Sequence, residues 1–157
     1  MKQFQNMDDI PQTMSLSYQE ICEGTDPWIS LGAFVNDFFG NYPDQREALV
    51  KDPINEPVST DPALHHWATF CAASVEFLCQ KYSISCPSWV NTFASLPEPW
   101  YHYPVKDKPQ VRESLVQKTP EPFARRNIFC GDRVFNNKYE ALKDFQGKVR
   151  RHEESQG

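Results

Sequence analysis

The feature that most constrains the fold is a long apolar helix predicted over residues 61–83. Asp61 is a good N-cap, and Pro62 suits the first helical position. Apolar residues then recur at the helical spacings of three and four: Leu64, Trp67, Ala68, Cys71, Val75, Leu78, Cys79 and Tyr82. Phe70 and Phe77 lie off this stripe, so the helix is apolar around much of its circumference and is packed on more than one side. The sequence therefore predicts a helix at the centre of the fold.

Other segments repeat these helical signals on a smaller scale. Asp26-Pro27 begins a second core helix. Its apolar stripe runs from Trp28 to Phe39 at helical spacing and stops at Gly40-Asn41. Shorter helices are predicted at 15–22, 44–51, 88–93, 108–117, from Pro122 onward, and at 138–145. Together these segments predict an all-α fold, a compact multi-helix bundle around the central helix.

Two further segments depart from the helical pattern. Gly131-Asp132 lies between 128–130 and 133–135, and a two-residue connection that begins with glycine is typical of a tight hairpin. The pattern thus allows a tiny β-hairpin near 128–135. Three prolines exclude a regular helix from 96–104 and predict an extended, aromatic-rich strap there.

Length and composition point to one folded unit. The chain has 157 residues, which suits one core, so we expect a single helical domain over 1–152 and a disordered tail over 153–157. Its apolar runs are too short to cross a bilayer, and residues 1–9 include acids and no apolar signal segment. Five cysteines, an odd number, do not suggest a disulfide framework. We therefore expect a cytoplasmic protein with reduced, buried thiols.

No catalytic or metal-binding motif stands out in the sequence. There is no Cys-x-x-Cys pair, and neither His65 nor His66 has a ligand three or four residues further along its helix. The six glycines are scattered, and no serine lies in a Gly-x-Ser-x-Gly turn. We predict no metal and no cofactor, although a site assembled from distant residues stays open. Cys130, beside Gly131, is the thiol that we expect to be most exposed.

Charge is distributed unevenly along the chain. Residues 1–64 hold three Lys/Arg and eleven Asp/Glu, a net −8, and because the whole chain carries −5, the remainder sums to +3. The basic residues concentrate near the end: Arg125, Arg126, Arg133, Lys138, Lys143, Lys148, Arg150 and Arg151. Such a run usually forms a solvated helix face and a frayed tail, but it can also meet phosphates or an acidic partner.

Two segments are candidates for contact with a partner. In the strap, Trp100, Tyr101 and Tyr103 present large rings on a backbone that loses little entropy on binding, although such rings more often cover a core. In the second segment, an arginine pair lies between aromatic residues and can clamp carboxylates or phosphates. The predicted partner-binding residues are Trp100, Tyr101, Tyr103, Phe123, Arg125, Arg126 and Arg133.

Residues 67–73, 96–100 and 119–129 read WATFCAA, LPEPW and TPEPFARRNIF. Together they resemble a group of small bacterial proteins of unknown function, and the similarity spans roughly residues 61–135. In some members the gene lies beside a nucleotidyltransferase-like gene, in an arrangement similar to a toxin–antitoxin pair. The resemblance supplies no catalytic motif and no functional residue. It implies a role in binding a protein partner.

The sequence thus predicts a non-catalytic protein-binding module, the antitoxin-like or accessory member of a bacterial two-gene system. Its partner would be a protein encoded by a neighbouring gene, and no membrane association is expected. A nucleic-acid-binding regulator that uses the basic cluster on phosphates is the alternative. An enzyme of unrecognised type comes third, because active sites can assemble from residues far apart in sequence.

Overall fold

The structure of the protein is a computed structural model, and it describes residues 10–101, 109–137 and 139–140. Six α-helices occur among these residues: α1 (Met14–Cys22), α2 (Pro27–Asn36), α3 (Arg46–Val50), α4 (Pro62–Tyr82), α5 (Pro109–Lys118) and α6 (Glu121–Ala124). The described strands are β1 (Trp100–Tyr101) and β2 (Ile128–Phe129). The mostly helical fold that the sequence predicts is confirmed.

Helix α4 is the central helix that the apolar pattern predicts. Its N-cap is Asp61, whose carboxylate accepts a hydrogen bond from the Ala63 N–H at 3.0 Å. Every residue from Ala68 to Glu76 is buried, as expected of a helix that packs on more than one side. Helices α1 and α6 and the short 3₁₀ turn Ser88–Thr92 all contact α4.

Helices α1 and α2 form the other main packing pair. Thr13 caps α1 and Asp26 caps α2, each by accepting a hydrogen bond from a backbone N–H of the first turn. Helix α2 ends at Asn36, but the chain continues in a π-helical turn, Asp37–Asn41. The stop predicted at Gly40-Asn41 therefore marks the end of this turn, whose Phe38 is fully buried.

The shorter helices are present with shifted bounds. The one predicted at 44–51 forms as a 3₁₀ turn, Pro43–Gln45, followed by α3. The segments predicted at 15–22, 88–93, 108–117 and from Pro122 correspond to α1, the Ser88–Thr92 turn, α5 and α6.

The predicted β-hairpin near 128–135 is wrong. Strand β2 pairs in parallel with β1 of the strap, so that Ile128 aligns with Trp100. The Gly131 N–H donates to the Thr119 hydroxyl at 2.9 Å. The chain beyond it turns to bury Phe135 in the core, because burial of that ring outweighs one more pair of strand hydrogen bonds.

Several predictions fall on residues that the structure does not describe. The helix at 138–145 is described only at Tyr139 and Glu140, which are helical, and the tail at 153–157 lies wholly outside the described residues. So do Tyr103 and most of the basic cluster, namely Lys138, Lys143, Lys148, Arg150 and Arg151. Within the described residues, no helix is both long enough and apolar enough to span a membrane.

Candidate functional site

The largest fully buried side chain of the described residues is a predicted site residue, Arg126. Its guanidinium donates to the carbonyl oxygens of Phe93 at 2.7 Å, Pro122 at 2.8 Å and Val90 at 3.0 Å. It also forms an ion pair with the Glu76 carboxylate of α4 at 3.1 Å. We call Arg126 and Glu76 the arginine clamp, because together they attach α6 and the chain around Ser88–Thr92 to the central helix.

Two of the residues predicted to bind a partner are buried. Arg126 is 2% exposed and Phe123 is 0% exposed, so neither reaches a partner, and the prediction that they form a binding surface is wrong. Phe123 contacts the rings of Phe70, Phe77 and Phe135 in the core. Sequence reasoning missed this because an Arg-Arg pair is normally solvated, and nothing local reveals an acid 50 residues away.

The remaining arginines of that segment lie at the surface. The Arg125 side chain is 42% exposed and pairs with the clamp's Glu76 and, at 3.9 Å, with Glu121. Arg133 is exposed at one end of a cavity of about 300 Å³ that Lys118 and Cys130 also line. The Cys130 thiol, predicted to be the most exposed, is 1% exposed, and burial raises its pKa to about 12. That prediction is wrong, and the buried thiol donates to the neighbouring Gly131 carbonyl at 3.5 Å.

The strap places Trp100 and Tyr101 on opposite faces of β1, as alternating side chains of a strand must be. Tyr101 stacks on Phe129 of β2 with ring centroids 5.4 Å apart, and the Arg112 guanidinium lies 5.3 Å from the Tyr101 ring. Trp100 points the other way, toward helix α4. Both are half-buried, so these rings cover the core and keep an accessible edge.

Trp100 belongs to a group of aromatic rings from three elements. It contacts Trp67 of α4 edge-to-face at 5.1 Å and lies 5.4 Å from the His66 ring. Trp67 in turn contacts Trp28 of α2 edge-to-face at 5.4 Å. Such pairs of rings hold one another in fixed orientations.

This group reaches the surface at the start of α2. Trp28 is 42% exposed and Ile29, next to it in the chain, is 69% exposed, whereas Trp67, His66 and Trp100 are half-buried. We call these five residues the aromatic patch. The sequence pattern placed Trp28 on the core stripe of its helix, and only the structure shows that this ring is shared between core and surface. The detectable signal was two large apolar residues in succession, of which one helix face can bury only one.

The surroundings of the aromatic patch are acidic. Asp26 precedes Trp28 by two residues, Glu98 precedes Trp100 by two, and Asp61 lies at the start of α4; all three are exposed. No lysine or arginine occurs within 10–45, 52–80 or 82–101, the segments that build the patch and its rim. Exposed acidic residues therefore lie close in the chain to three segments of the patch.

A second feature of the surface is a cavity of about 660 Å³ between α3 and the end of α4. Its lining includes Arg46, whose guanidinium lies 4.2 Å from the Tyr82 ring and donates to the Phe38 carbonyl at 2.9 Å. The exposed Cys86 thiol also lines it. Arg46 thus forms part of the cavity wall, which Asp44, Glu47 and Lys51 also line.

Neither the spatial grouping of side chains nor comparison with known proteins supplies a function. Within residues 10–101, 109–137 and 139–140, no three His, Cys, Asp or Glu side chains are grouped so that they could hold a metal ion. Searches among protein-family models, curated proteins and solved structures find no match to this chain.

Proposed function

We propose that the chain is a non-catalytic protein-binding module, the accessory member of a bacterial two-gene system, and that the aromatic patch is its contact surface. The observation that carries this proposal is that Trp28 and Ile29 are exposed, while Trp67 and Trp100, in the same group of rings as Trp28, are half-buried. Large aromatic rings at the centre of an interface supply most of its binding energy.

These rings are held by secondary structure before any partner binds, and this favours binding. Trp28 and Trp67 lie on helices. Trp100 lies in β1, where its backbone N–H donates to the Asn127 carbonyl at 2.8 Å. A partner that covers them would therefore order few side chains, and ordering costs about 0.5–1.5 kcal/mol for each long side chain. A preformed aromatic surface avoids that cost.

The acidic rim defines the chemistry of the partner. Asp26, Asp61 and Glu98 would repel an acidic surface or a phosphate backbone, and they would attract an apolar surface bordered by Lys or Arg. The burial of Arg126 also removes one cation from the basic cluster that nucleic-acid binding would use. Both observations favour a basic protein partner over DNA or RNA.

The proposal is tested by co-expressing the chain with the product of the adjacent gene and measuring co-purification. We expect a complex that Trp28→Ala weakens at least tenfold, because hot-spot aromatics contribute about 2 kcal/mol or more. Val58→Ala is the matched control, since Val58 is fully exposed outside the patch. Equal loss in both variants, or no complex with the neighbouring product, would contradict the proposal.

The acidic rim is tested separately with Glu98→Gln, a change at an exposed side chain of nearly the same shape. We expect a slower association rate and a weaker dependence of that rate on salt, because rim charges act mainly by steering. If the chain instead bound duplex DNA with an affinity that fell steeply with salt, nucleic-acid binding would replace this function.

A further inference from the structure

The end of helix α4 folds back so that two cysteines meet. Ser83 adopts the left-handed conformation, with φ of 53°, and the next N–H, that of Ile84, donates to the Cys79 carbonyl at 3.1 Å. The Cys79 thiol donates to the Ser85 carbonyl at 3.7 Å. This reversal brings Cys86 next to Cys79, because the Ser85 carbonyl that the Cys79 thiol contacts belongs to the residue just before Cys86.

The two thiols of this pair differ in access to solvent. Cys79 is 2% exposed, whereas Cys86 is exposed and lines the cavity of about 660 Å³. A soluble reagent can therefore reach the Cys86 sulfur and not the Cys79 sulfur. Cys71 and Cys130 are both buried, so the chain presents them to no such reagent.

We propose that Cys86 and Cys79 form a dithiol site that low-molecular-weight disulfides oxidise to an intramolecular disulfide. The Cys86 thiolate attacks one sulfur of the small disulfide, forms a mixed disulfide and releases one small thiolate. Cys79 then loses its proton to solvent and attacks the Cys86 sulfur, which breaks the mixed disulfide and releases the second small thiolate. Two electrons pass from the protein to the reagent, which leaves as two thiols.

The pKa shifts of the two thiols agree with their access to solvent in making Cys86 the first to attack. Burial raises the pKa of both thiols, that of Cys79 to about 12. At Cys86 the neighbouring Cys79 thiol and the positive charges of Arg126 and Arg125 oppose that rise, although the pKa stays above its ordinary value. The thiolate fraction of Cys86 therefore grows with pH, and oxidation should be faster in alkaline solution.

The test uses the whole folded chain in mixtures of oxidised and reduced glutathione, quenched with acid and alkylated. Peptide mapping should find a Cys79–Cys86 disulfide whose fraction rises with the proportion of oxidised glutathione, and whose rate of formation rises with pH. Cys71→Ala and Cys130→Ala are the matched controls, because each removes a buried thiol outside the pair, and both should leave the disulfide unchanged.

The variant Cys79→Ala separates this pair from a single reactive thiol. It should accumulate glutathione bound to Cys86, since the second displacement is lost, whereas wild type should carry only transient amounts. The same stable glutathione adduct in wild type would overturn the proposal. So would a Cys79–Cys86 bond that forms only after unfolding in urea. Neither result depends on partner binding.

Discussion

At the scale of single residues, burial separates what stabilises the protein from what is open to partners. Arg126 occupies an interior site where its ion pair and hydrogen bonds satisfy the guanidinium, and Glu76 is 7% exposed opposite it. Buried charges persist in proteins only when they are paired in this way. Trp28 has the reverse arrangement, because its ring contacts Trp67 and Phe70 while the residue is 42% exposed.

Substituting Arg126 tests whether this buried residue stabilises the fold. Arg126→Met should lower the free energy of unfolding by about 3 kcal/mol, because Glu76 loses one partner and three buried carbonyls lose their donors. Urea unfolding followed by circular dichroism measures it. The exposed Arg133→Met is the matched control and should change stability by less than about 0.5 kcal/mol. Equal effects at the two positions would refute the arginine clamp.

At the scale of elements, the sequence predicts the helices well, but it predicts poorly which elements pack or pair with one another. Helix α4 was predictable because its cap, proline and apolar spacing all agree within one stretch of chain. The parallel pairing of β1 with β2 was not, since residues 100 and 128 are separated by 27 others and neither strand exceeds two residues. The local glycine signal at Gly131 favoured a hairpin, but β2 pairs with the distant β1 and Phe135 is buried in the core.

The same limit applies to the candidate site. Trp100 and Tyr101 were predictable as surface candidates from prolines and aromatic content alone. The burial of Phe123 and Arg126 depends on α6 packing against α4, which no local pattern encodes. Likewise the contact of Trp28 with Trp67 joins two helices, so the aromatic patch could be recognised only after folding.

The left-handed end of α4 gives a prediction at this scale. Ser83→Gly should raise the free energy of unfolding by about 0.5–1 kcal/mol, because glycine adopts a positive φ without the steric cost that serine carries. Urea midpoints measure the effect. Ser85→Gly, the same change two residues on where φ is not positive, is the control and should lower stability slightly. A loss of stability in Ser83→Gly would contradict the role of the left-handed turn.

At the scale of the whole molecule, residues far apart in sequence are joined by side-chain contacts at the end of α4. The Tyr82 hydroxyl donates to the Glu140 carboxylate, and Lys81 pairs with that carboxylate at 2.9 Å. Burial alone would raise the pKa of Glu140, but these two hydrogen bonds and the charge of Lys81 lower it below its ordinary value. The contact thus couples folding to pH.

The sign of this coupling follows from the lowered pKa. Ionised Glu140 contributes to stability above the ordinary carboxyl pKa of 4.5, and that contribution disappears as pH falls through the lower pKa of the folded state. The difference in unfolding free energy between wild type and Glu140→Gln should therefore shrink as the pH falls below 4.5. Chemical unfolding at a series of pH values measures it, and a difference independent of pH would refute the coupling.

The most direct test of the account pairs affinity with stability in one set of variants. For the complex with the neighbouring gene's product, Ile29→Ser should raise Kd about tenfold with little change in unfolding free energy, because Ile29 is 69% exposed. Arg126→Met should do the reverse, losing stability while its folded fraction binds normally. Undiminished affinity in Ile29→Ser, together with impaired binding by folded Arg126→Met, would contradict the assignment of function to the aromatic patch.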